Sequence, residues 1–221
     1  MATGNLSLLP TDPLRLELPE ADIRLWPQAL AVAEADALFE ALRAHIDWQA
    51  EDILIFGERR RVPRLVAWHG DPDAAYRYSG TAHDPLPWTP DLLQLRERVR
   101  LLTGHDYNSV LLNLYRDGRD SMGWHADDEP ELGPEPAIAS VSLGATRRFR
   151  LRHRRLPDAK VTLELGHGDV LLMAGGTQRA YVHAVPKTAR PTGARINLTW
   201  RQVLRPPGTA RPVFAPREPG V

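Results

Sequence analysis

The residues best suited to do chemistry lie in one short stretch, residues 124–129, which reads WHADDE. His125 and Asp127 are two positions apart, so on an extended backbone their side chains leave the same face, while Asp128 points away. Two imidazoles and one carboxylate form the facial triad that holds non-haem Fe(II) and leaves coordination positions open. Taken alone, such a pair is more often a surface histidine and aspartate in a polar loop. The prediction therefore depends on a second histidine.

The surroundings of the chain's eight histidines separate the candidates for that second ligand. His167 lies between two glycines in a predicted turn, and His153 lies in a run of arginines. His183 lies in the apolar run YVHAV, which predicts a side chain inside the protein. Taken by itself, a histidine in this setting is more often a core residue bonded to a backbone carbonyl. Beside the His-x-Asp pair, the pattern favours an iron site made of His125, Asp127 and His183.

Polar and apolar residues alternate through residues 195–201, which read RINLTWR. Four polar side chains therefore share one face of a predicted strand, and three apolar side chains share the other. Arginine presents a fork that matches a carboxylate, so two arginines beside an iron site suit a dicarboxylate such as 2-oxoglutarate. A polar strand face turned to solvent is the alternative. The candidate cosubstrate contacts are Arg195, Asn197, Thr199 and Arg201 on this strand, with Asn113 and Tyr115 on an earlier one.

The elements that must position these residues change character along the chain. Residues 31–46 have helical spacing of leucines, and a second helix begins after the cap Thr89 and ends at Gly104. A hairpin is predicted around Gly57, followed by a loop over residues 67–90. Seven short β-type runs then predict an antiparallel sandwich or jelly roll, with the two helices against one sheet. The runs are residues 110–115, 138–143, 149–152, 161–165, 170–173, 181–185 and 195–203.

Charge is balanced over the whole chain but not along it. The 28 basic and 28 acidic residues cancel, so no global field favours a polyanionic partner. Residues 127–135 hold five acids, whereas residues 147–155 hold six arginines and a histidine. Such a basic strip can follow a phosphate backbone, and a solvated edge strand accounts for it equally well.

Several function classes are excluded by composition. The chain has no cysteine, which rules out disulfides, zinc–thiolate sites and thiol nucleophiles. We find no apolar run of membrane-spanning length and no secretory signal at the N-terminus. The sequence therefore predicts an intracellular, cytoplasmic protein that does not enter a membrane.

Four separated motifs, in order, resemble the AlkB family of Fe(II)/2-oxoglutarate-dependent dioxygenases. The resemblance extends from about residue 53 to 203, and the segments IFG and YSG are most similar to the subgroup that repairs duplex DNA. The four motifs are residues 110–118 (VLLNLYRDG), 123–129 (GWHADDE), 138–144 (IASVSLG) and 195–201 (RINLTWR).

The resemblance implies an α+β fold: a double-stranded β-helix, or jelly roll, with N-terminal buttressing helices and a nucleotide-recognition hairpin or lid. Residues 1–20 are then an irregular arm, residues 21–205 a single dioxygenase domain and residues 206–221 a proline-rich tail. Within the domain, residues 50–90 form the lid and residues 108–205 the jelly-roll core. Iron is held by the three ligands already derived, and no catalytic side chain is expected beyond them. 2-Oxoglutarate docks on Arg201 with Arg195 nearby, and the sequence leaves open which guanidinium takes which carboxylate.

The implied activity is oxidative demethylation of 1-methyladenine and 3-methylcytosine in DNA, a direct-reversal repair that releases formaldehyde and succinate. The alternatives are the same chemistry on methylated RNA or protein, and a jelly-roll binding module whose metal is structural. A base in a duplex must be flipped out and gripped by stacking and edge hydrogen bonds. The expected protein is a monomer with alkylated DNA as partner.

The candidate substrate residues are Phe56 as a wedge, Tyr76, Tyr78 and Ser79 at the base, and Glu129 as acceptor for an exocyclic amine. Phe56 could instead be a core residue of the hairpin, and the tyrosines could be packing residues.

Overall fold

A computed structural model describes residues 12–55, 58–74, 76–78, 81–83 and 85–204, with the backbone alone at 53–55, 58–60, 76–78 and 81–83. The helices are α1 (Val32–His45), α2 (Pro90–Thr103) and the one-turn α3 (Thr177–Ala180). The strands are β1 (Leu14–Leu16), β2 (Asp22–Trp26), β3 (Gln49–Ile55), β4 (Glu58–Gly70), β5 (Tyr76–Tyr78), β6 (Thr81–His83), β7 (Ser109–Tyr115), β8 (Met122–His125), β9 (Ile138–Gly144), β10 (Arg147–His153), β11 (Lys160–Leu165), β12 (Val170–Ala174), β13 (Tyr181–Val185) and β14 (Arg195–Arg201).

Two antiparallel sheets form the body of the protein. The larger has eight strands in the order β1-β2-β12-β9-β14-β7-β4-β3, and the smaller has four in the order β11-β10-β13-β8. Apolar side chains from both sheets, among them Leu171 and Met173 of the larger and Phe149 and Leu151 of the smaller, form one buried cluster between them. The predicted jelly roll is confirmed.

The two longer helices cover the other face of the larger sheet. Leu42 of α1 and Leu92, Leu95 and Val99 of α2 pack in a second cluster with the apolar side of β14, which includes Trp200. The ends of α2 are those that the sequence predicts. Its cap residue accepts a hydrogen bond from the Leu92 amide at 3.2 Å, and the glycine that ends it has φ 76°. The helices thus hold the larger sheet from outside, as predicted.

The N-terminal part of the chain contains more strand than its sequence indicates. Residues 14–16, within the predicted irregular arm, pair with β2 at the edge of the larger sheet. The predicted loop at 67–90 was wrong in part, because β4 continues to Gly70 and β5 pairs with β6 in a separate ribbon. Frequent prolines and aromatic residues hid the strand pattern here. The hairpin β3–β4 joins the larger sheet beside β7.

Candidate metal and cosubstrate site

The three predicted metal ligands come together between the sheets. His125, the last residue of β8, pairs in register with His183 of β13, and the two imidazole centroids are 4.2 Å apart. Asp127 lies two residues beyond the end of β8, in the following loop. One ligand atom from each residue lies within 4.8 Å of the others. The arrangement fits a single metal ion held by two imidazoles and one carboxylate.

Charge and burial leave two of these ligands, Asp127 and His183, in the protonation states that a metal requires. Burial opposes ionisation of Asp127, but the positive charge of Arg201 and the neighbouring imidazoles outweigh it and lower the carboxyl pKa to about 2. Burial, reinforced by repulsion from His125, lowers the pKa of His183 to about 3. Asp127 is therefore an anion and His183 a neutral imidazole with a free lone pair, the forms that bind metals.

Two further residues fix the position of Asp127. The Arg201 guanidinium donates from Nη2 to Asp127 Oδ1 at 2.5 Å, and both side chains are almost fully buried. The Asp127 backbone N–H donates to Oε1 of Gln178, on α3, at 3.0 Å. Gln178 is 1% exposed, and sequence reasoning did not single it out. The loop that carries the carboxylate is thus held from two sides.

Replacing Gln178 with leucine should weaken Fe(II) binding about 10- to 100-fold, the usual effect of losing a partner that orients a metal ligand. The amide of Asp127 then loses its acceptor, and the loop loses one of its two attachments. Calorimetric titration with Fe(II) under anaerobic conditions measures the change. Gln178→Glu keeps an acceptor at the same place and should retain most of the affinity. Equal losses in both variants would contradict this role.

The polar face of β14 points into the protein, not to solvent. All seven residues of the strand are buried, which excludes the solvent-facing alternative. Asn197 Oδ1 accepts from Ser140 Oγ at 2.9 Å and from the Arg195 guanidinium at 2.6 Å, and Asn197 Nδ2 donates to Thr199 Oγ1 at 3.0 Å. The predicted polar row is therefore one hydrogen-bonded chain of side chains.

Arg195 has donors left over in this network. Its Nη2 bonds Ser142 Oγ at 2.8 Å as well as Asn197, whereas Nε and Nη1 are buried without a hydrogen-bond partner among the described residues. Burial is the main influence on the guanidinium and lowers its pKa to about 10, with the Tyr115 hydroxyl acting in the opposite direction. Arg195 is therefore a cation at neutral pH. A buried cation with two unused donors is a site for an anion.

One cavity between the sheets joins the two halves of the site. It is lined by all three metal ligands and by five of the six predicted cosubstrate residues, and the sixth, Arg195, bonds one of the five. Asn113, in this lining, also accepts a 2.6 Å hydrogen bond from Nε of the buried Arg64 on β4. Arg64 and the serines of β9 were missed by sequence reasoning. Alternation of serine with apolar residues in IASVSLG was the signal available for the serines.

The predicted substrate residues are placed only in part. Glu129 follows Asp127 by two residues, is half-buried, and precedes the 3₁₀ turn Pro130–Leu132. Tyr76 and Tyr78 belong to β5, where only the backbone is described. Phe56 and Ser79 lie outside the described residues.

Comparison with known proteins decides the family. The family model described as the 2OG-Fe(II) oxygenase superfamily matches residues 22–201. DNA oxidative demethylase ALKBH2 of Mus musculus is 40% identical over 182 residues, which are 78% of this chain and 76% of that protein. This chain belongs to the AlkB family of 2OG-Fe(II) oxygenases.

A second relative in sequence supports this family, and a solved structure supports the fold. Alpha-ketoglutarate-dependent dioxygenase alkB homolog 3 of Bos taurus is 41% identical over 192 residues, covering 83% of this chain and 66% of that protein, just under two thirds of its length. The solved structure of OsALKBH1 shares the fold with a TM-score of 0.60 at 17% identity, over 86% of this chain and 99% of that one. Across the described residues, every helix is too short or too polar to cross a membrane.

The cofactor of the family fits the residues present. Fe(II) is the metal that the family name gives, and His125, Asp127 and His183 offer it the two imidazoles and one carboxylate that it prefers. The family description also names 2-oxoglutarate, the cosubstrate that its members use with O2. The unused donors of Arg195 supply a buried partner for one carboxylate of 2-oxoglutarate.

Proposed function

We propose that this protein oxidatively demethylates N-alkylated bases in DNA, with 1-methyladenine and 3-methylcytosine as substrates. The observation that carries the proposal is the His-Asp-His cluster, which shares one cavity with polar residues of strand β14. The relative from mouse named DNA oxidative demethylase supports DNA as the substrate. Cytoplasmic location and a monomeric state stay predictions from the sequence.

Arg201 and Arg195 bind different ends of 2-oxoglutarate. Arg201 contacts the metal ligand Asp127, so it serves the end of the cosubstrate nearest the metal. Arg195 is at the other end of β14, about 20 Å away along the backbone at ~3.3 Å per residue, and its side chain reaches Ser142 and Asn197. It therefore takes the carboxylate remote from the metal.

Iron held by His125, Asp127 and His183 would couple two oxidations: one atom of O2 would enter succinate as 2-oxoglutarate loses CO2, and the other would hydroxylate the N-methyl group of the base, which would then leave as formaldehyde. The chain's own residues bind the cosubstrate, orient the ligands and exclude water. Phe149, whose ring lies 5.2 Å from that of His183, forms part of the apolar wall that keeps solvent from the metal.

Formaldehyde release from methylated oligonucleotides, supplied with Fe(II) and 2-oxoglutarate, tests the proposal. We expect one formaldehyde and one succinate for each 1-methyladenine or 3-methylcytosine repaired, and none without 2-oxoglutarate. Single-stranded DNA, duplex DNA and RNA of one sequence are compared in parallel, which separates the proposed substrate from methylated RNA. Succinate formation without any base repair would contradict the proposal and leave the oxygenase chemistry intact.

Glu129→Ala should lower kcat/KM for 1-methyladenine about 10-fold or more, because a hydrogen bond to a charged group contributes ~1.5–3 kcal/mol. The carboxylate accepts from the exocyclic amine of a base that carries a positive charge. Steady-state kinetics on a methylated trinucleotide measure the loss, and KM for 2-oxoglutarate should not change. An equal fall with Asp128→Ala, at the exposed neighbouring carboxylate, would argue against a specific base contact.

A further inference from the structure

The arginine run of residues 147–155 is divided by β10 between the two faces of the smaller sheet. Arg147 points inward and is buried, whereas Arg148, Arg150 and Arg152 are exposed on the outer face. β10 lies between β11 and β13, so it is not an edge strand, contrary to one of the two interpretations from sequence. The exposed arginines therefore stand in a row on the middle of a sheet, on the side opposite the iron site.

A groove of about 770 Å³ runs over this outer face. That volume is within the ~300–1,000 Å³ range of sites that bind small ligands. Four basic side chains line it, and within the part of the chain that the structure describes no aspartate or glutamate does. The basic residues are Arg150, Arg152, Arg154 and Lys160.

Trp124 forms the end of the groove next to the iron site. Its side chain is exposed, and the Arg152 and Arg150 guanidinium carbons lie 4.3 and 5.6 Å from its ring centroid. Cation–π contact with the indole favours this placement of both arginines and does not consume their N–H donors. Trp124 precedes His125 on the edge strand β8, and neighbouring residues of a strand point to opposite faces. The groove thus begins one residue from a metal ligand.

The arrangement of the basic side chains destabilises the folded protein. Arg152 is directly opposite Lys160 in the β10–β11 pair, and like charges at such positions repel. Among the described residues, Arg150, Arg152 and Lys160 form no ion pair, and only Arg154 has a carboxylate partner, Asp128 at 2.5 Å. A bound polyanion would relieve this repulsion.

We propose that this groove binds the phosphodiester backbone of the substrate strand next to the target base. The inference rests on the proposed function, because the strand reaches the groove by crossing the edge strand β8 from a base held at the iron. Phosphates contact the ordered arginines and Lys160, and these contacts carry no sequence information. The groove therefore determines how affinity depends on the length of the strand, whereas the cavity between the sheets determines which base is bound.

Binding of unmodified oligonucleotides to the full chain tests the groove without requiring demethylation. Fluorescence anisotropy is measured for single-stranded DNA and RNA of 3 and 15 nucleotides with the wild type, Arg150→Gln/Arg152→Gln and Trp124→Ala. For the 15-mers we expect the double variant to bind about tenfold more weakly. We also expect the slope of log affinity against log salt to fall by about 1.4, the value for two lost phosphate contacts on a single strand. Trp124→Ala should weaken binding less and keep the slope.

Arg43→Ala removes one positive charge from the exposed last turn of α1, on the other side of the protein, and should bind all oligonucleotides as the wild type does. Equal losses in Arg43→Ala and the groove variants, or unchanged 15-mer binding in the double variant, would overturn the groove. Tighter binding of a polyglutamate peptide than of either 15-mer would also overturn the groove as a site for a nucleic-acid backbone. Groove-dependent binding without formaldehyde release would instead refute the proposed function and leave the groove standing.

Discussion

Asp127→Asn should abolish stable Fe(II) binding and reduce turnover to background. The substitution removes the carboxylate of the proposed site and leaves two imidazoles and an amide. It also leaves the buried Arg201 cation without the carboxylate that it contacts at 2.5 Å. Losing one partner of a buried ion pair costs ~3–5 kcal/mol, so the free energy of unfolding of the metal-free protein should fall by about that amount. Anaerobic Fe(II) titration and chemical denaturation measure the two effects.

Asp128→Asn is the matched control for this result. Asp128 is the next residue in the chain and also pairs with an arginine, Arg154, but both side chains are more than two-fifths exposed. Surface pairs of this kind contribute ~0–1 kcal/mol, so stability and Fe(II) affinity should both stay near those of the wild type. Wild-type Fe(II) affinity in Asp127→Asn would exclude this residue as a ligand and, with it, the assignment of the site.

The sequence predicted the parts of the site that depend on local periodicity. Alternation through β14 placed its four polar side chains on one face, and the apolar surroundings of His183 placed that side chain inside; both inferences agree with the structure. In each case the information lies within a few residues, because a strand has a fixed period of two. The resemblance to a known family then joined these separate patterns into one site, which comparison with relatives supports at the level of the family.

What the sequence did not predict depends on contacts between distant segments. Gln178 is 51 residues from Asp127, and Ser142 is 53 residues from Arg195, yet each pair shares a hydrogen bond. In neither pair does the local sequence around one residue indicate that the other residue will be its partner. The same holds for the arginine run: its composition indicated basicity, but only the pairing of β10 with β11 and β13 shows which arginines face solvent and form a groove.

Arg195→Met should separate cosubstrate binding from stability, because the fold uses only one nitrogen of this buried cation and leaves the other two available to 2-oxoglutarate. We expect KM for 2-oxoglutarate to rise about 30-fold or more, since loss of a buried charged contact to a ligand costs ~2–5 kcal/mol. The free energy of unfolding of the ligand-free protein should stay the same or rise by about 1 kcal/mol, because an apolar side chain of similar volume replaces a cation with two unused donors. Steady-state kinetics measure KM, and thermal denaturation with and without 2-oxoglutarate measures stability and binding: the ligand should raise Tm in the wild type but not in the variant.

Arg147→Met gives the opposite result for a reason visible in the hydrogen bonds. Arg147 is also buried, but its guanidinium donates to the backbone carbonyl oxygens of Asp117, Asp120 and Pro186 at 3.0, 2.8 and 2.8 Å. Removing it leaves these acceptors without a donor, each at a cost of ~1–3 kcal/mol, so Tm of the ligand-free protein should fall. Arg147 and Arg195 thus both lie near Tyr115 but differ in role: Arg147 joins loops, whereas Arg195 has donors available to bind an anion. A similar fall in Tm for Arg195→Met, or a Tm that still rises with 2-oxoglutarate in that variant, would show that Arg195 is structural.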